Sequence, residues 1–346
     1  TATTEIYTLS LHDGSSDLLR DIISTKDASH QYADLAQSML RALWPVVISQ
    51  FATKHGSPPG NGAVVIGMGS LGAARLHAHS DLDVIVVYDP ADQDASDGKR
   101  SLPSRTYYAR LTQALVTAMT APMAEGRLYE VDMRLRPSGN KGPVATSMDA
   151  FCSYQSAEAW VWEHLALTRA RVVAGPPKLT QDVEAFRQSL MGKRSQDTVK
   201  MALSKMRARI ASVKPSGLWD LKTGSGRLQD IELFAQMGLL AAGKSTRDVA
   251  SGLMSCRELG IISEQDADHL ATTYEVLAQL QIVSKLLTED NFDPTACGND
   301  GLALVLRVAQ VEDLVALEQK IGASVQVAAD IIANALPEPE EGADER

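Results

Sequence analysis

Two aspartates one residue apart, in Ser80-Asp81-Leu82-Asp83, begin a run rich in β-branched residues that ends at Tyr88. That run predicts a strand. Because side chains alternate along a strand, Asp81 and Asp83 project from the same face. Two carboxylates held so close repel each other, and a hard divalent cation between them relieves the repulsion. The pair therefore predicts a Mg²⁺ site.

A third carboxylate is expected on a neighbouring strand. Residues Tyr129–Arg136 alternate strictly between apolar and charged, which predicts a strand with Glu130, Asp132, Arg134 and Arg136 on one face. Asp132 is the candidate third ligand of a two-metal site with ions about 4 Å apart. In such a site one ion lowers the pKa of an attacking hydroxyl and the other neutralises the leaving pyrophosphate, which is nucleotidyl transfer chemistry.

Three basic residues are candidate phosphate contacts. Arg134 and Arg136 share the predicted face of Asp132, so they either bind a triphosphate in bidentate fashion or pair with the aspartates. Lys222, two residues before Gly224, could reach a phosphate from a flexible loop, although a solvated loop lysine is the commoner outcome. We predict a phosphate-binding role for each of these three residues.

A glycine-rich loop, Gly67-Met68-Gly69-Ser70-Leu71-Gly72, lies between the apolar run Ala63–Ile66 and the aspartate pair. The small residues Gly69 and Ser70 can turn backbone N–H groups and one hydroxyl toward phosphate oxygens, because small residues permit close approach. We therefore predict that Gly69 and Ser70 hold the phosphates of the nucleotide.

Two other interpretations compete with this site. An Asp-x-Asp at a strand start is common and often carries no catalytic duty. The loop also resembles a dinucleotide-binding fingerprint, since Asp89 ends the next strand about 20 residues on. Only about ten residues separate Gly72 from that strand, however, which is short for a parallel crossover. The fingerprint also leaves Asp81 and Asp83 unexplained, so the metal site is favoured.

Bulk composition excludes several classes of protein. The 346 residues carry 33 basic and 43 acidic side chains and a net charge of −10, which argues against a nucleic-acid partner. Three cysteines are too few for a disulfide framework. No apolar stretch approaches the 18 or so residues of a spanning helix, so no membrane partner is expected. These features predict a cytoplasmic enzyme with reduced thiols.

The expected fold is α+β, a small mixed sheet followed by a helical bundle. Helix is predicted for 15–54, and from Ser147 onward no strand is predicted. The helical periods there are 147–174, 180–212, 228–242, 245–259, 263–289 and 311–335. We predict a catalytic domain over 1–226 with N-terminal helices, a regulatory helical bundle over 227–336 and a disordered acidic tail over 337–346.

The ordered motifs resemble glutamine synthetase adenylyltransferase, in particular its C-terminal adenylylating half. The likeness runs from about Gly62 to Leu240. The motifs that carry it are Gly67-Met-Gly-Ser-Leu-Gly72, Ser80-Asp-Leu-Asp83, Leu128-Tyr-Glu-Val-Asp-Met-Arg-Leu-Arg-Pro-Ser-Gly139, Glu158-Ala-Trp-Val-Trp-Glu-His164, Leu167-Thr-Arg-Ala-Arg-Val-Val173 and Asp220-Leu-Lys-Thr-Gly224 leading to Asp230-Ile-Glu232.

This resemblance implies a DNA polymerase β-like nucleotidyltransferase fold, with metal binding carried onto Asp81, Asp83 and Asp132. It also implies ATP as donor, a tyrosine hydroxyl of glutamine synthetase as acceptor, and regulation by the PII signalling protein and glutamine. The alternatives are a uridylyltransferase that acts on the PII protein, or a nucleotide-binding regulatory module without turnover. A deadenylylating activity is not predicted, because one catalytic half is visible.

The sequence departs from the family pattern at three positions in the loop. Ser70 stands where the family usually has a lysine, and Gly72-Ala73 replaces the usual double glycine. Arg75 stands where a glutamate is common, which leaves any role for that position open. Ser70 restores the Gly-Ser of the wider superfamily, so activity is expected to survive this change.

Overall fold

The computed structural model describes residues 17–20, 22–124, 126–210, 216–288 and 292–339. The fold is α+β with a small mixed sheet and many helices, as the sequence predicts. Two compact units divide the chain. The first holds His30–Leu76 and Ser80–Leu190, and the second holds His77–His79, the chain from Met191 onward and the described part of Ser15–Ser29. The functional assignment of domains over 1–226 and 227–336 stays a prediction.

One mixed sheet lies in the first unit. Its strands are β1 (Gly62–Gly67), β2 (Leu82–Asp89), β3 (Val131–Asp132), β4 (Ala145–Ser147) and β5 (Arg171–Ala174). The strand order is β3-β2-β1-β5, in which β2 pairs antiparallel with β1 on one edge and parallel with β3 on the other. The strand β4 pairs in parallel with the end of β2, on the same edge as β3.

The antiparallel pairing of β1 with β2 excludes the dinucleotide-binding interpretation. That fold needs two parallel strands joined by a crossover helix. Here Gly67 pairs with Val84 and Gly62 with Asp89, so the chain reverses direction between the two strands. The connection after Gly72, which the sequence analysis considered short for a parallel crossover, is long enough for this reversal.

The first unit buries β1 and β2 almost completely, which explains their continuous apolar sequences. Val64 and Val65 of β1, and Ile85 and Val87 of β2, are at most 2% exposed. Helices cover the sheet because apolar side chains project from both of its faces. The helices of this unit are α1 (Thr25–His55, which begins at the border of the unit), α2 (Gly69–Gly72), α3 (Ser104–Thr120), α4 (Met148–Ala157), α5 (Val161–Thr168) and α6 (Pro177–Leu190).

Within the second unit, the helix α8 (Leu228–Ala242) has 11 of its 15 residues buried. It packs closely on α9, where an added β-carbon on Gly238 would lie 2.5 Å from Cys256 Sγ and one on Gly252 would lie 2.4 Å from the carbonyl oxygen of Ala235. The helices of this unit are α7 (Gln196–Ile210), α8 (Leu228–Ala242), α9 (Val249–Glu258), α10 (Glu264–Leu287), α11 (Gly298–Ala309) and α12 (Leu314–Ala335).

The structure corrects three expectations about secondary structure. Residues 147–174 are not one helix, because α5 ends at Thr168 and Arg171–Ala174 form the edge strand β5. The predicted strand Tyr129–Arg136 is only two residues long, since β3 ends at Asp132 and the chain then turns. Gly298–Ala309 forms a helix that the sequence analysis did not predict.

The remaining predictions concern the membrane and the acidic C-terminal segment. Among the described residues, no helix combines the length and the apolar character that crossing a bilayer requires. Most of the predicted disordered tail 337–346 lies outside the described residues, which end at residue 339. Pro337, the first residue of that segment, accepts a hydrogen bond from Ser204 Oγ at 2.6 Å through its carbonyl oxygen.

Candidate active site

The strand register brings two of the three predicted aspartates side by side. Asp83 of β2 is the direct partner of Asp132 of β3 in a parallel pair. Directly paired residues in a sheet project from the same face, about 4.8 Å apart in the hydrogen-bonding direction. Leu82, whose side chain points to the opposite face, is fully buried. The carboxylates of Asp83 and Asp132 therefore share the face that looks away from the core.

Asp81 stands just before β2, at the exposed end of the same face. The Leu82 N–H donates to the carbonyl oxygen of Glu130 at 2.9 Å, so pairing of the two strands begins directly after Asp81. All three aspartates lie close enough to one guanidinium to act on it, because Asp132 first and then Asp83 and Asp81 raise the pKa of Arg134. The charges of all three aspartates therefore act on one guanidinium, while their joint role as metal ligands stays a prediction.

The glycine-rich loop packs against this acidic face. Its residues Gly69–Gly72 form the single turn α2, and the N–H of Met68 donates to the carbonyl oxygen of Asp83 at 2.8 Å. Gly69 has a φ of +50°, and an added β-carbon there would lie 2.3 Å from Oδ2 of Asp83. The sequence analysis did not foresee this contact, although a glycine beside an Asp-x-Asp strand is the signal that could have indicated it.

Ser70 is the second residue of the same turn, and its carbonyl oxygen accepts from the N–H of Arg75 at 2.9 Å. Gly72 lies against the chain before β5, because an added β-carbon would stand 2.4 Å from the carbonyl oxygen of Arg169. The Arg171 Nε also donates to the carbonyl oxygen of Leu71 at 3.1 Å. These contacts fix the loop to the sheet and hold Gly69 and Ser70 next to Asp83.

Arg134 pairs with Asp132, which is one of the two alternatives posed for this arginine; a phosphate contact is the other. Arg134 Nε donates to Asp132 Oδ2 at 2.7 Å, and the Arg134 backbone N–H donates to Oδ1 at 2.7 Å. The hydrogen bond from the guanidinium is the main reason that the pKa of Asp132 is lowered. Its carboxylate is therefore charged and oriented at neutral pH.

Arg136 makes different contacts. Its Nη1 donates to the carbonyl oxygen of Met133 at 2.8 Å and its Nε to that of Gly142 at 3.3 Å. These bonds close the turn that follows β3. Ser138, in the same turn, has a φ of +59° and is hydrogen bonded to the hydroxyl of Tyr154. A phosphate contact of Arg136 stays a prediction, with the remaining guanidinium N–H groups as its donors.

Tyr154 connects that turn to a buried carboxylate. Its hydroxyl donates to Glu163 at 3.0 Å, and Glu163 also accepts from the Trp160 N–H at 2.9 Å. Burial raises the pKa of Glu163. His164 is buried and its Nε2 lies 2.9 Å from the carbonyl oxygen of Gln155. The residues of this motif thus hold the turn against the core.

Lys222 lies in the second unit, on the loop before α8. The carboxylate of Asp220 accepts from the N–H groups of Lys222 at 3.3 Å and Thr223 at 2.9 Å, which shapes the loop. Lys222 lines a pocket of about 490 Å³ together with Trp219 and Lys285. Its predicted phosphate contact stays a prediction.

Asp230 and Glu232, at the start of α8, have structural partners. Asp230 forms a two-point ion pair with Arg207, at 2.6 and 2.9 Å, and accepts from the Gly226 N–H at 2.8 Å. Glu232 accepts from the Tyr274 hydroxyl at 3.1 Å. These bonds give both acids structural partners near the start of α8.

The chemistry of the three aspartates fits Mg²⁺, which prefers one or two carboxylates together with phosphate oxygens. The absence of a side chain at Gly69 keeps the space beside Asp83 Oδ2 open. Within the described ranges, no three His, Cys, Asp or Glu side chains already stand together as a metal cage. Asp132 must therefore exchange its contact with Arg134 before it can bind an ion alongside Asp83.

The sequence of this chain is similar to those of one known family of proteins. Residues 10–186 match the family described as glutamate–ammonia ligase adenylyltransferase. Relatives named bifunctional glutamine synthetase adenylyltransferase/adenylyl-removing enzyme include one from Rhodopseudomonas palustris strain CGA009, 36% identical over 88% of this chain and 32% of its own length. Those from Bradyrhizobium sp. strain ORS 278 and Rhizobium meliloti strain 1021 are each 39% identical with the same coverage. The chain thus spans about a third of the length of these curated relatives.

Proposed function

Since this chain belongs to the glutamate–ammonia ligase adenylyltransferase family, we propose that it transfers AMP from ATP to a tyrosine hydroxyl of glutamine synthetase and releases pyrophosphate. The observation that supports this most is the parallel register of Asp83 with Asp132 beside the glycine-rich loop. It provides a carboxylate pair on an exposed face, next to backbone that a phosphate can approach closely.

Different residues of the first unit have different proposed roles, in metal binding and in phosphate binding. Asp81, Asp83 and Asp132 would hold Mg²⁺, which when bound would activate the hydroxyl and neutralise charge on the departing pyrophosphate. Gly69 and Ser70 offer N–H groups to the phosphates, and the exposed Arg134 offers a planar fork of donors. Asp83, Asp132 and the loop residues are held by the sheet or packed on it, so they would orient the nucleotide before the acceptor arrives.

Other parts of the proposal depend on family membership. We assign Arg136 and Lys222 as further phosphate contacts, residues 1–226 as the catalytic domain and 227–336 as a regulatory domain that responds to the PII signalling protein. We place the protein in the cytoplasm, in keeping with its three free cysteines, Cys152, Cys256 and Cys297. A nucleic-acid partner is not part of the proposal.

The proposal is tested by replacing the aspartates with asparagine, which keeps the shape and removes the charge. Asp83→Asn should lower transfer of labelled AMP from ATP to glutamine synthetase by about 1,000-fold or more, since a metal ligand supplies several kcal/mol to the transition state. Asp182→Asn is the matched control, because Asp182 forms an exposed ion pair with Lys178 on α6. Unchanged transfer by Asp83→Asn, with an intact circular dichroism spectrum, would refute the metal role.

A further inference from the structure

The guanidinium of Arg134 lies in the electrostatic field of three carboxylates. It lies against Oδ2 of Asp132, with Nη2 at 2.5 Å and Nε at 2.7 Å. The side chain of Arg134 is 75% exposed, whereas that of Asp132 is 18% exposed. The charges of Asp83 and Asp81 also act on this guanidinium. Arg134 is thus an exposed cation that partly neutralises the three carboxylates.

A divalent ion and this guanidinium compete for the same oxygen. A carboxylate oxygen has two lone pairs, and Arg134 donates to Oδ2 of Asp132 through both Nε and Nη2. Mg²⁺ would need such an oxygen about 2.1 Å away and would repel the neighbouring positive charge. The guanidinium must therefore leave Oδ2 when the ion binds to it.

The local backbone allows the Arg134 guanidinium to leave Oδ2 of Asp132 while the carboxylate keeps its orientation. The Arg134 N–H donates to Oδ1 of Asp132 at 2.7 Å, an Asx-turn that does not depend on the guanidinium. This bond keeps the carboxylate oriented toward the partner position of Asp83. Because the Arg134 side chain is mostly exposed, a change of its rotamer unpacks no part of the core.

We propose that Arg134 is an exchangeable counter-ion: it holds Asp132 in the metal-free protein and moves to the triphosphate of ATP when the metal–nucleotide complex enters. This inference rests on the proposed function and deepens it. It makes metal and nucleotide binding mutually dependent, since the nucleotide takes up the arginine that would otherwise oppose the metal. Metal alone then binds poorly, and metal with ATP binds well.

The test is Mn²⁺ binding to the nucleotide-free protein, followed by electron paramagnetic resonance, in wild type and in Arg134→Gln. Removal of the charge should tighten Mn²⁺ binding about 5-fold or more, a typical size for coupling between two ligands. The same variant should bind ATP, with Mn²⁺ present, about 5-fold or more weakly. Arg127→Gln is the matched control, because Arg127 is also an exposed arginine paired with a nearby acid, Glu130, and should change neither affinity.

Each other outcome overturns the inference. Unchanged or weaker Mn²⁺ binding by Arg134→Gln would show that the pairing with Asp132 does not oppose the metal. Tighter Mn²⁺ binding with unchanged ATP affinity would show that the arginine does not move to the nucleotide. Wild type that binds no Mn²⁺ even with ATP would refute the proposed metal site as well, whereas binding that Asp83→Asn abolishes would leave that site standing.

Discussion

Gly69 lies so close to Asp83 that a β-carbon at this position would stand 2.3 Å from Oδ2 of the aspartate. The loop that we propose for phosphate binding and the carboxylate that we propose for metal binding therefore pack directly against one another. Gly69 has a φ of +50°, so a side chain there is disfavoured by conformation and by space.

Gly69→Ala should affect activity far more than stability. The left-handed conformation should cost about 1 to 2 kcal/mol of unfolding free energy. Displacement of the Asp83 carboxylate should lower kcat/KM for AMP transfer by about 100-fold, the usual effect of a misplaced catalytic group. Gly260→Ala is the control, because Gly260 has a φ of +69° with no atom near its missing β-carbon. Equal activity losses in the two variants would contradict the role of the Gly69 contact.

Tyr154→Phe should weaken the turn that carries Arg134 and Arg136. The change removes the hydroxyl that donates to buried Glu163 and accepts from Ser138, at a cost of about 1 to 2 kcal/mol of stability. We expect the KM for ATP to rise in addition. Tyr274→Phe removes a comparable bond to Glu232 in the second unit and should leave that KM unaltered. Steady-state kinetics measures the KM for ATP of both variants, and urea unfolding measures their stability. An unchanged KM in Tyr154→Phe would count against the role of this turn.

The ion pair of Arg207 with Asp230 should contribute more than its exposed counterparts. Its side chains are 16% and 8% exposed, so Arg207→Met leaves a buried, uncompensated carboxylate and should cost about 3 to 5 kcal/mol of unfolding free energy. The double variant with Asp230→Asn should recover part of that loss. Lys178→Met in the exposed pair with Asp182 should cost about 0.5 kcal/mol or less. Similar losses for both single variants, measured in urea, would contradict this assignment.

The buried imidazole of His77 should make stability depend on pH. Burial, followed by the charges of Lys285 and Lys222, lowers its pKa from 6.5 to about 4. Between these values the unfolded chain binds a proton that the folded chain does not, so the unfolding free energy falls as the pH drops through this window. The loss from about pH 7.5 to about pH 5 should be about 2 kcal/mol.

Urea unfolding of wild type and His77→Gln at the two pH values isolates this contribution. The variant should lack the additional loss of about 2 kcal/mol, whatever its stability at the higher pH. A pH dependence that is the same in wild type and His77→Gln would count against the His77 imidazole as its source.

The sequence predicted those parts of the site that depend on local pattern. Asp81 and Asp83 could be placed on one face because alternation along a strand is local, and the short connection after Gly72 correctly argued against a parallel crossover. Strand β5 was missed because it is four residues long and its partner β1 lies far away in the chain. A four-residue apolar run carries too little periodicity to separate it from the end of a helix.

The length of β3 was wrong for a different reason. Alternation of charges from Glu130 to Arg136 is typical of a strand, but the Asp132 carboxylate bonds to the Arg134 N–H and offers the backbone a turn instead. A pattern of apolar and charged residues does not show that a side chain will compete with a neighbouring strand for a backbone N–H group. The contact between Gly69 and Asp83 likewise depends on tertiary packing, which no local pattern specifies.

We propose that Asp81, Asp83 and Asp132 support the transfer of AMP from ATP to glutamine synthetase. This is tested by the intact mass of glutamine synthetase after incubation with this chain, ATP and Mg²⁺. We expect a mass increase of one adenylyl group per modified subunit, located on a tyrosine and absent with Asp83→Asn. Glutamine synthetase that stays unmodified while the chain is folded and binds ATP would refute the proposed transfer.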